Sequence, residues 1–195
     1  MVTRQVDGCL ILRLQSADGT NRLTREFVQN LTYEVQRCAA VKEPPSLIIT
    51  GNEKFFSTGA DLQEISELGG PAAYEFSKMG QELMTAIDEF PVPVYAAISG
   101  YCMGGGLDLA LACHHRIASS HAVFGHRGAA LGLITGWGGT QRLPRLIGKG
   151  RALEAFVAAE KIRADRGLAI GLIDAIAEDP VAAAMRRIAL AQEEC

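Results

Sequence analysis

The chain has 195 residues, a length that suits one domain with a substantial core. Apolar residues make up 48% and charged residues 21%, which excludes a disordered chain and fits a globular one. The net charge is −3 at pH 7 and the basic residues form no run, so a nucleic-acid partner is not expected.

In chain order, CLILRLQ (9–15) reads as a strand and SADGTN as the turn after it. Across 23–38, Leu23, Phe27, Leu31 and Val35 recur at every fourth position, one stripe of a helix. SLIIT (46–50) is a short buried strand stopped by Gly51. KFF extends a second strand before STGADLQEISEL, where Asp61 opens a helix. From Pro71 to Phe90 the apolar positions Phe76, Met79, Leu83, Ile87 and Phe90 mark another amphipathic helix, and this stripe is read as core. PVPVYAAIS (91–99) is a strand, followed by a helix over 105–113. RIASS and AVF are short strands, and 151–159 and 180–194 are helices. Alternating strands and helices predict an α/β layer structure, a single domain over 1–195 with no linker.

Five cysteines, Cys9, Cys38, Cys102, Cys113 and Cys195, are scattered and never form Cys-x-x-Cys. That pattern argues against a disulfide framework and predicts a reducing, cytoplasmic setting. The opening MVTRQVDG lacks the apolar core of a signal peptide. Only 96–113 is apolar enough to suggest a membrane span, and its glycines and aspartate favour a buried strand–turn–helix instead. No membrane partner is expected.

The stretch GYCMGGGLDLALAC (100–113) carries Gly104, Gly105 and Gly106 into an apolar helix with one carboxylate, Asp108. Each glycine in a helix costs about 1 kcal/mol relative to alanine, so the triplet calls for a reason. The dinucleotide fingerprint, the phosphate loop and Gly-x-Ser-x-Gly are all absent. What remains is a helix N-terminus with bare backbone N–H groups. It suits either an oxygen that becomes negatively charged or close packing of helix on strand. FFSTGADLQE (55–64) is another strand, a tight turn at Gly59 and a helix start. Two such units can each aim one N–H at a single oxygen.

Taken together, FSTGADLQE, GYCMGGGLDLALAC, RIAS, FG, LG and GWGGTQRLPRLIG resemble the enoyl-CoA hydratase/isomerase family, or crotonase superfamily, from about RQVDG to GLIDAIAED. The resemblance implies a crotonase-like (ClpP/crotonase) α/β spiral of ββα units and a coenzyme A thioester as substrate, with no separate cofactor. It implies an oxyanion hole from the backbone N–H groups of Ala60 and Gly105. Substrate contacts are expected from Thr58, Ala60, Asp61, Leu62, Gln63 and Gly105. The helix after GAD often offers a lysine to the coenzyme phosphates in this family; here that position is Gln63, and Lys54 and Arg22 are the nearby cations. The usual ACD after the glycine helix is ACHH, with His114 in place of the aspartate. Family members assemble as trimers or hexamers, and longer ones continue into C-terminal helices that complete trimers and cover the site. This sequence stops at RRIALAQEEC, so a shortened C-terminal helical region is expected.

Family hydratases use two glutamates to hold one water and move its protons. The first position, two residues after the glycine triplet, is Asp108 here, a carboxylate one methylene shorter. A shortfall on the order of 1 Å can lower a rate about 100-fold. The second position, reached four residues after the phenylalanine-glycine pair begins, is Gly128, which carries no carboxylate; His126 and Arg127 beside it are the candidates to substitute. Single-base isomerases use that same second position. Naphthoate synthases of the family also carry glycine there and can recruit bicarbonate, but the aspartate of their pattern is not evident in LITGWGG.

The resemblance therefore implies a hydratase- or isomerase-type enzyme with Asp108 as the surviving proton-transfer group. A decarboxylase of a carboxylated acyl-CoA is the alternative, with His126 or Arg127 binding the carboxylate. A non-catalytic acyl-CoA-binding or assembly protein is a third reading. Asp61 reads as a helix cap. His114, His115, His121 and His126 lack metal-site spacing, so no metal is expected. Trp137 in GWGG reads as an anchor or as a wall of an acyl pocket.

Overall fold

Runs of branched apolar residues become the central strands of a six-stranded sheet. The computed structural model describes residues 2–6 and 8–193, so Cys195 lies outside the described residues. The first half of the chain forms β1 (Val2–Val6), β2 (Cys9–Arg13), β3 (Arg22–Leu23), α1 (Arg25–Ala39), β4 (Ser46–Thr50), β5 (Phe55–Ser57), β6 (Gly59–Ala60), α2 (Leu62–Ser66) and α3 (Gly70–Asp88). There follow β7 (Val94–Ile98), β8 (Tyr101–Met103), α4 (Gly105–Ala112), β9 (His115–Ala118), β10 (Val123–Gly125) and a 3-10 turn at Gly128–Leu131. The last part forms α5 (Gly139–Ile147), α6 (Lys149–Val157), β11 (Ile162–Arg163), α7 (Ala164–Ala169), β12 (Ala175–Ile176) and α8 (Pro180–Glu193).

The large sheet runs β1-β2-β4-β7-β9-β12, antiparallel only at its β1–β2 hairpin. A second sheet runs β11-β10-β8-β5, and β3 pairs with β6. The strand pairs β4/β5, β7/β8 and β9/β10 each place one strand in the large sheet and the next in the second. The chain thus winds as a spiral of strand, strand, helix, as the resemblance implies.

Alternation within the central strands divides the core. Leu47 and Ile49 of β4, with Val94, Ala96 and Ile98 of β7, face the cluster packed by α1, α3 and α4. Ile48, Tyr95 and Ala97 face the opposite cluster, closed by Ala184 and Ile188 of α8. Both faces of these parallel strands are covered, so they read as unbroken apolar runs. In α1 the buried stripe is Val28, Leu31, Val35 and Cys38, while Phe27 packs only partly against it. Leu83 and Ile87 of α3 are fully buried, and Met79 packs against the same core. Among the described residues no helix is long and apolar enough to cross a membrane. Cys9, Cys38, Cys102 and Cys113 are buried and no disulfide joins them.

Candidate active site

Two sharp turns, one after β5 and one after β8, meet at the end of the second sheet. At Gly59 φ is +93°, and a Cβ there would lie 2.7 Å from the Met103 carbonyl oxygen and 2.9 Å from the Gly105 nitrogen. Only glycine lets the first turn lie this close to the second. The first turn is held from behind by a buried polar network. Ser57 Oγ donates to the Asn21 carbonyl at 2.7 Å and accepts from the Gly59 N–H at 3.1 Å. Asn21 Nδ2 donates to the carbonyls of Phe55 and Phe56 at 3.0 and 3.1 Å.

The triplet glycines have separate reasons for being there. Gly104 adopts φ +53°, donates its N–H to the Gly125 carbonyl at 2.9 Å, and accepts from the N–H groups of Leu107 and Asp108. Gly105 opens α4, where a backbone N–H has no acceptor within its own helix. A Cβ on Gly105 would lie 2.7 Å from the Trp137 ring and 3.3 Å from the Ala60 nitrogen, and one on Gly106 would lie 2.7 Å from Ser57 Cβ. Close packing is therefore present at the triplet, and the backbone at Gly105 lies against that at Ala60.

These turns open on a cavity of about 380 Å³. Thr58, Ala60, Leu62, Gly105 and Asp108 line it, as do His126, Arg127 and Gly128. Asp61 and Gln63 do not. Asp61 caps α2, accepting from the N–H groups of Gln63 and Glu64 at 2.9 and 3.4 Å, and pairs with Arg22 at 3.3 Å. Arg22 also pairs with Asp18, which holds that carboxyl well below the ordinary carboxylate range. The Lys54 ammonium lies 5.4 Å from the Phe55 ring centre. Trp137 is an anchor, its ring tilted against Phe76 with ring centres 5.3 Å apart, and it also lines the cavity. His114 is structural, its Nδ1 accepting from the Val94 N–H at 2.9 Å.

Inside the cavity Asp108 is only 2% exposed. Thr135 Oγ1 donates to its Oδ2 through a short hydrogen bond. Its Oδ1 lies 3.3 Å from His126 Nε2, and His126 is itself only 5% exposed. The two atoms are close but misaligned, so neither has a well-formed hydrogen bond among the described residues. A Cβ at Gly139, the first residue of α5, would lie 2.2 Å from Asp108 Oδ1 and 3.0 Å from His126 Nε2. The His126 ring is backed by Phe156 of α6, with ring centres 5.3 Å apart.

Gly128 begins the 3-10 turn, and a Cβ there would lie 2.7 Å from the Leu133 carbonyl oxygen. Of the two candidates to stand in for it, His126 is brought to Asp108, whereas Arg127 remains exposed at the cavity edge. Thr135, Gly139 and Phe156 were not legible as site residues, since each reaches Asp108 or His126 from a different element. Only the glycine pair in GWGG hinted at a close approach.

Residues 4–193 match the family model described as Enoyl-CoA hydratase/isomerase. The chain is 42% identical over 172 residues to the crotonyl-CoA hydratase of Syntrophomonas wolfei, an alignment covering 86% of this chain and 65% of that protein. It is 34% identical over 169 residues to the short-chain-enoyl-CoA hydratase of Clostridium acetobutylicum, again covering 86% and 65%. The chain thus spans just under two thirds of the length of these curated relatives. The crystal structure of an enoyl-CoA hydratase from Bacillus anthracis superposes with a TM-score of 0.89 at 31% identity, covering 98% of this chain and 75% of that one.

Proposed function

Because the chain belongs to the enoyl-CoA hydratase/isomerase family, we propose that its cavity binds a coenzyme A thioester and stabilises the enolate formed from it. The supporting observation is the abutment of the Ala60 and Gly105 turns beside a buried carboxylate in one cavity. The thioester oxygen gains negative charge when a proton leaves the α-carbon, or when a nucleophile adds at the β-carbon. Backbone N–H groups fixed in a dry site stabilise that charge without reorganising, and each is worth about 10²–10³ in rate. The apolar wall, including Leu62, Phe76, Ile134 and Trp137, suits an acyl chain.

Asp108 is the proton-transfer group in this reading, and the reaction is a hydration or an isomerisation at the carbons next to the thioester. Arg127 favours a second reading, decarboxylation of a carboxylated acyl-CoA. It lines the cavity and has no ion pair among the described residues, so it is available to a substrate carboxylate.

The test is a panel of pure thioesters. Crotonyl-CoA should lose its conjugated absorbance, and butyryl-CoA in deuterated water should exchange its α-protons. Asp108→Asn should slow the exchange about 100-fold or more. Turnover confined to malonyl-type thioesters would favour decarboxylation. Tight binding of every thioester with no exchange would make the protein an acyl-CoA binder rather than an enzyme.

A further inference from the structure

Asp108 lacks the partner glutamate of a two-carboxylate site, yet one other titratable side chain reaches it. His126 Nε2 faces Asp108 Oδ1 at 3.3 Å, both residues are more than nine-tenths buried, and both line the cavity. Among the described residues neither atom has another hydrogen-bond partner. Two buried polar atoms left facing each other are costly unless a proton comes between them.

The surroundings hold this pair in place. Thr135 donates to the other carboxylate oxygen, which leaves Oδ1 on the side of the imidazole. The α5 backbone lies close against both groups at Gly139, where no side chain would fit. Phe156 packs on the imidazole and contributes no charge. The other titratable groups nearby are Cys102, whose buried thiol is pushed up by desolvation and by the Asp108 charge, and Arg127, next in the chain and exposed.

We propose that Asp108 and His126 act as one proton-storing dyad that does the work of the two family glutamates. The proposal rests on the thioester reading given above. In the base form, the carboxylate and a neutral imidazole present lone pairs to each other. The Asp108 carboxylate takes a proton from the α-carbon, and the C–H electron pair moves into the enolate held by the Ala60 and Gly105 amides. The proton then passes to Nε2, which leaves a carboxylate–imidazolium ion pair in place of a neutral buried acid. The reverse transfers return the proton to carbon. His126 acts through Asp108 and is therefore a positioning and proton-holding residue.

The experiment has two arms on the full chain. In the first, butyryl-CoA α-exchange is followed against pH in wild type, His126→Gln and His126→Ala. Both variants should slow exchange about 100-fold with thioester affinity unchanged. Added imidazole should restore part of the rate in His126→Ala only. In the second, carried out without any thioester, the His126 ring nitrogens are observed by NMR with labelled histidine. Asp108→Asn should move the Nε2 resonance, and Cys102→Ser should not.

Exchange at the wild-type rate in both His126 variants would overturn the dyad. So would a His126 Nε2 resonance indifferent to Asp108→Asn. If wild-type protein exchanges no thioester, the enzymatic reading fails on its own. The dyad is then judged by that resonance, where an unchanged signal overturns it and a moved one upholds the shared proton.

Discussion

Gly105 lines the cavity, and its other surface is pressed on Trp137. Gly105→Ala places a methyl 2.7 Å from that ring, so the indole or the helix must move. The donor moves with the helix, and thioester turnover should fall about 10²–10³-fold in steady-state assays while the protein stays folded. Gly128 is constrained in a different way. Placing a carboxylate there by Gly128→Glu puts a Cβ 2.7 Å from the Leu133 carbonyl. The substitution should leave turnover no higher than wild type and cost about 1–3 kcal/mol in denaturant unfolding. Of the site, the approach of the two glycine turns was legible, while Ala60 and Gly105 were named from the family resemblance. The Asp108–His126 contact was not, because nothing in the spacing of FGHRG reveals that β10 aims His126 at the first turn of α4.

At the scale of elements, the short helix α2 follows directly on Ala60, and Asp61 is its N-cap. Asp61→Ala removes the side-chain acceptor for the Gln63 and Glu64 N–H groups and the ion pair to Arg22. A loss of about 1 kcal/mol is expected in thermal or denaturant unfolding, mostly from the cap, since the ion pair is partly exposed. Faster amide exchange across α2 would locate the effect. The legible elements share one property, an apolar pattern long enough to show its period. β4 emerged at its observed bounds because both of its faces are buried. The expected helix over 151–159 forms two residues earlier, as α6 (Lys149–Val157). β1 was missed because VTRQV is polar and lies exposed at the sheet edge. β8 was missed because its three residues are squeezed between Gly100 and Gly104, and its strand character comes from β5 and β10 on either side. In α5 the starting glycine and the internal Pro144 mask a helix that tertiary packing of Leu143 and Ile147 sustains.

For the molecule as a whole, acid is the condition under which the large sheet should weaken. His115 of β9 stacks on Tyr95 of β7, with ring centres 4.7 Å apart. Its pKa is pushed down, first by burial and then by Arg116, Arg187 and His114, against an opposing pull from Asp174. The unfolded chain therefore binds this proton more readily than the fold does. No penalty exists well above the ordinary histidine value of about 6.5, and stability falls as pH drops through it. Melting temperature should decline between about pH 7.5 and 5, and His115→Phe, which keeps the stack, should flatten that decline. The order of strands carries a consequence in time. From β2 through β4, β7 and β9 to β12, position in the large sheet follows position in the chain. A nascent chain leaving the ribosome therefore presents the Ala60 and Gly105 turns once α4 has emerged, before His126, Thr135 and Gly139 come out. On the proposed reading, the turns that would hold the thioester oxygen come first, and the groups that would move its protons are fitted onto them afterwards.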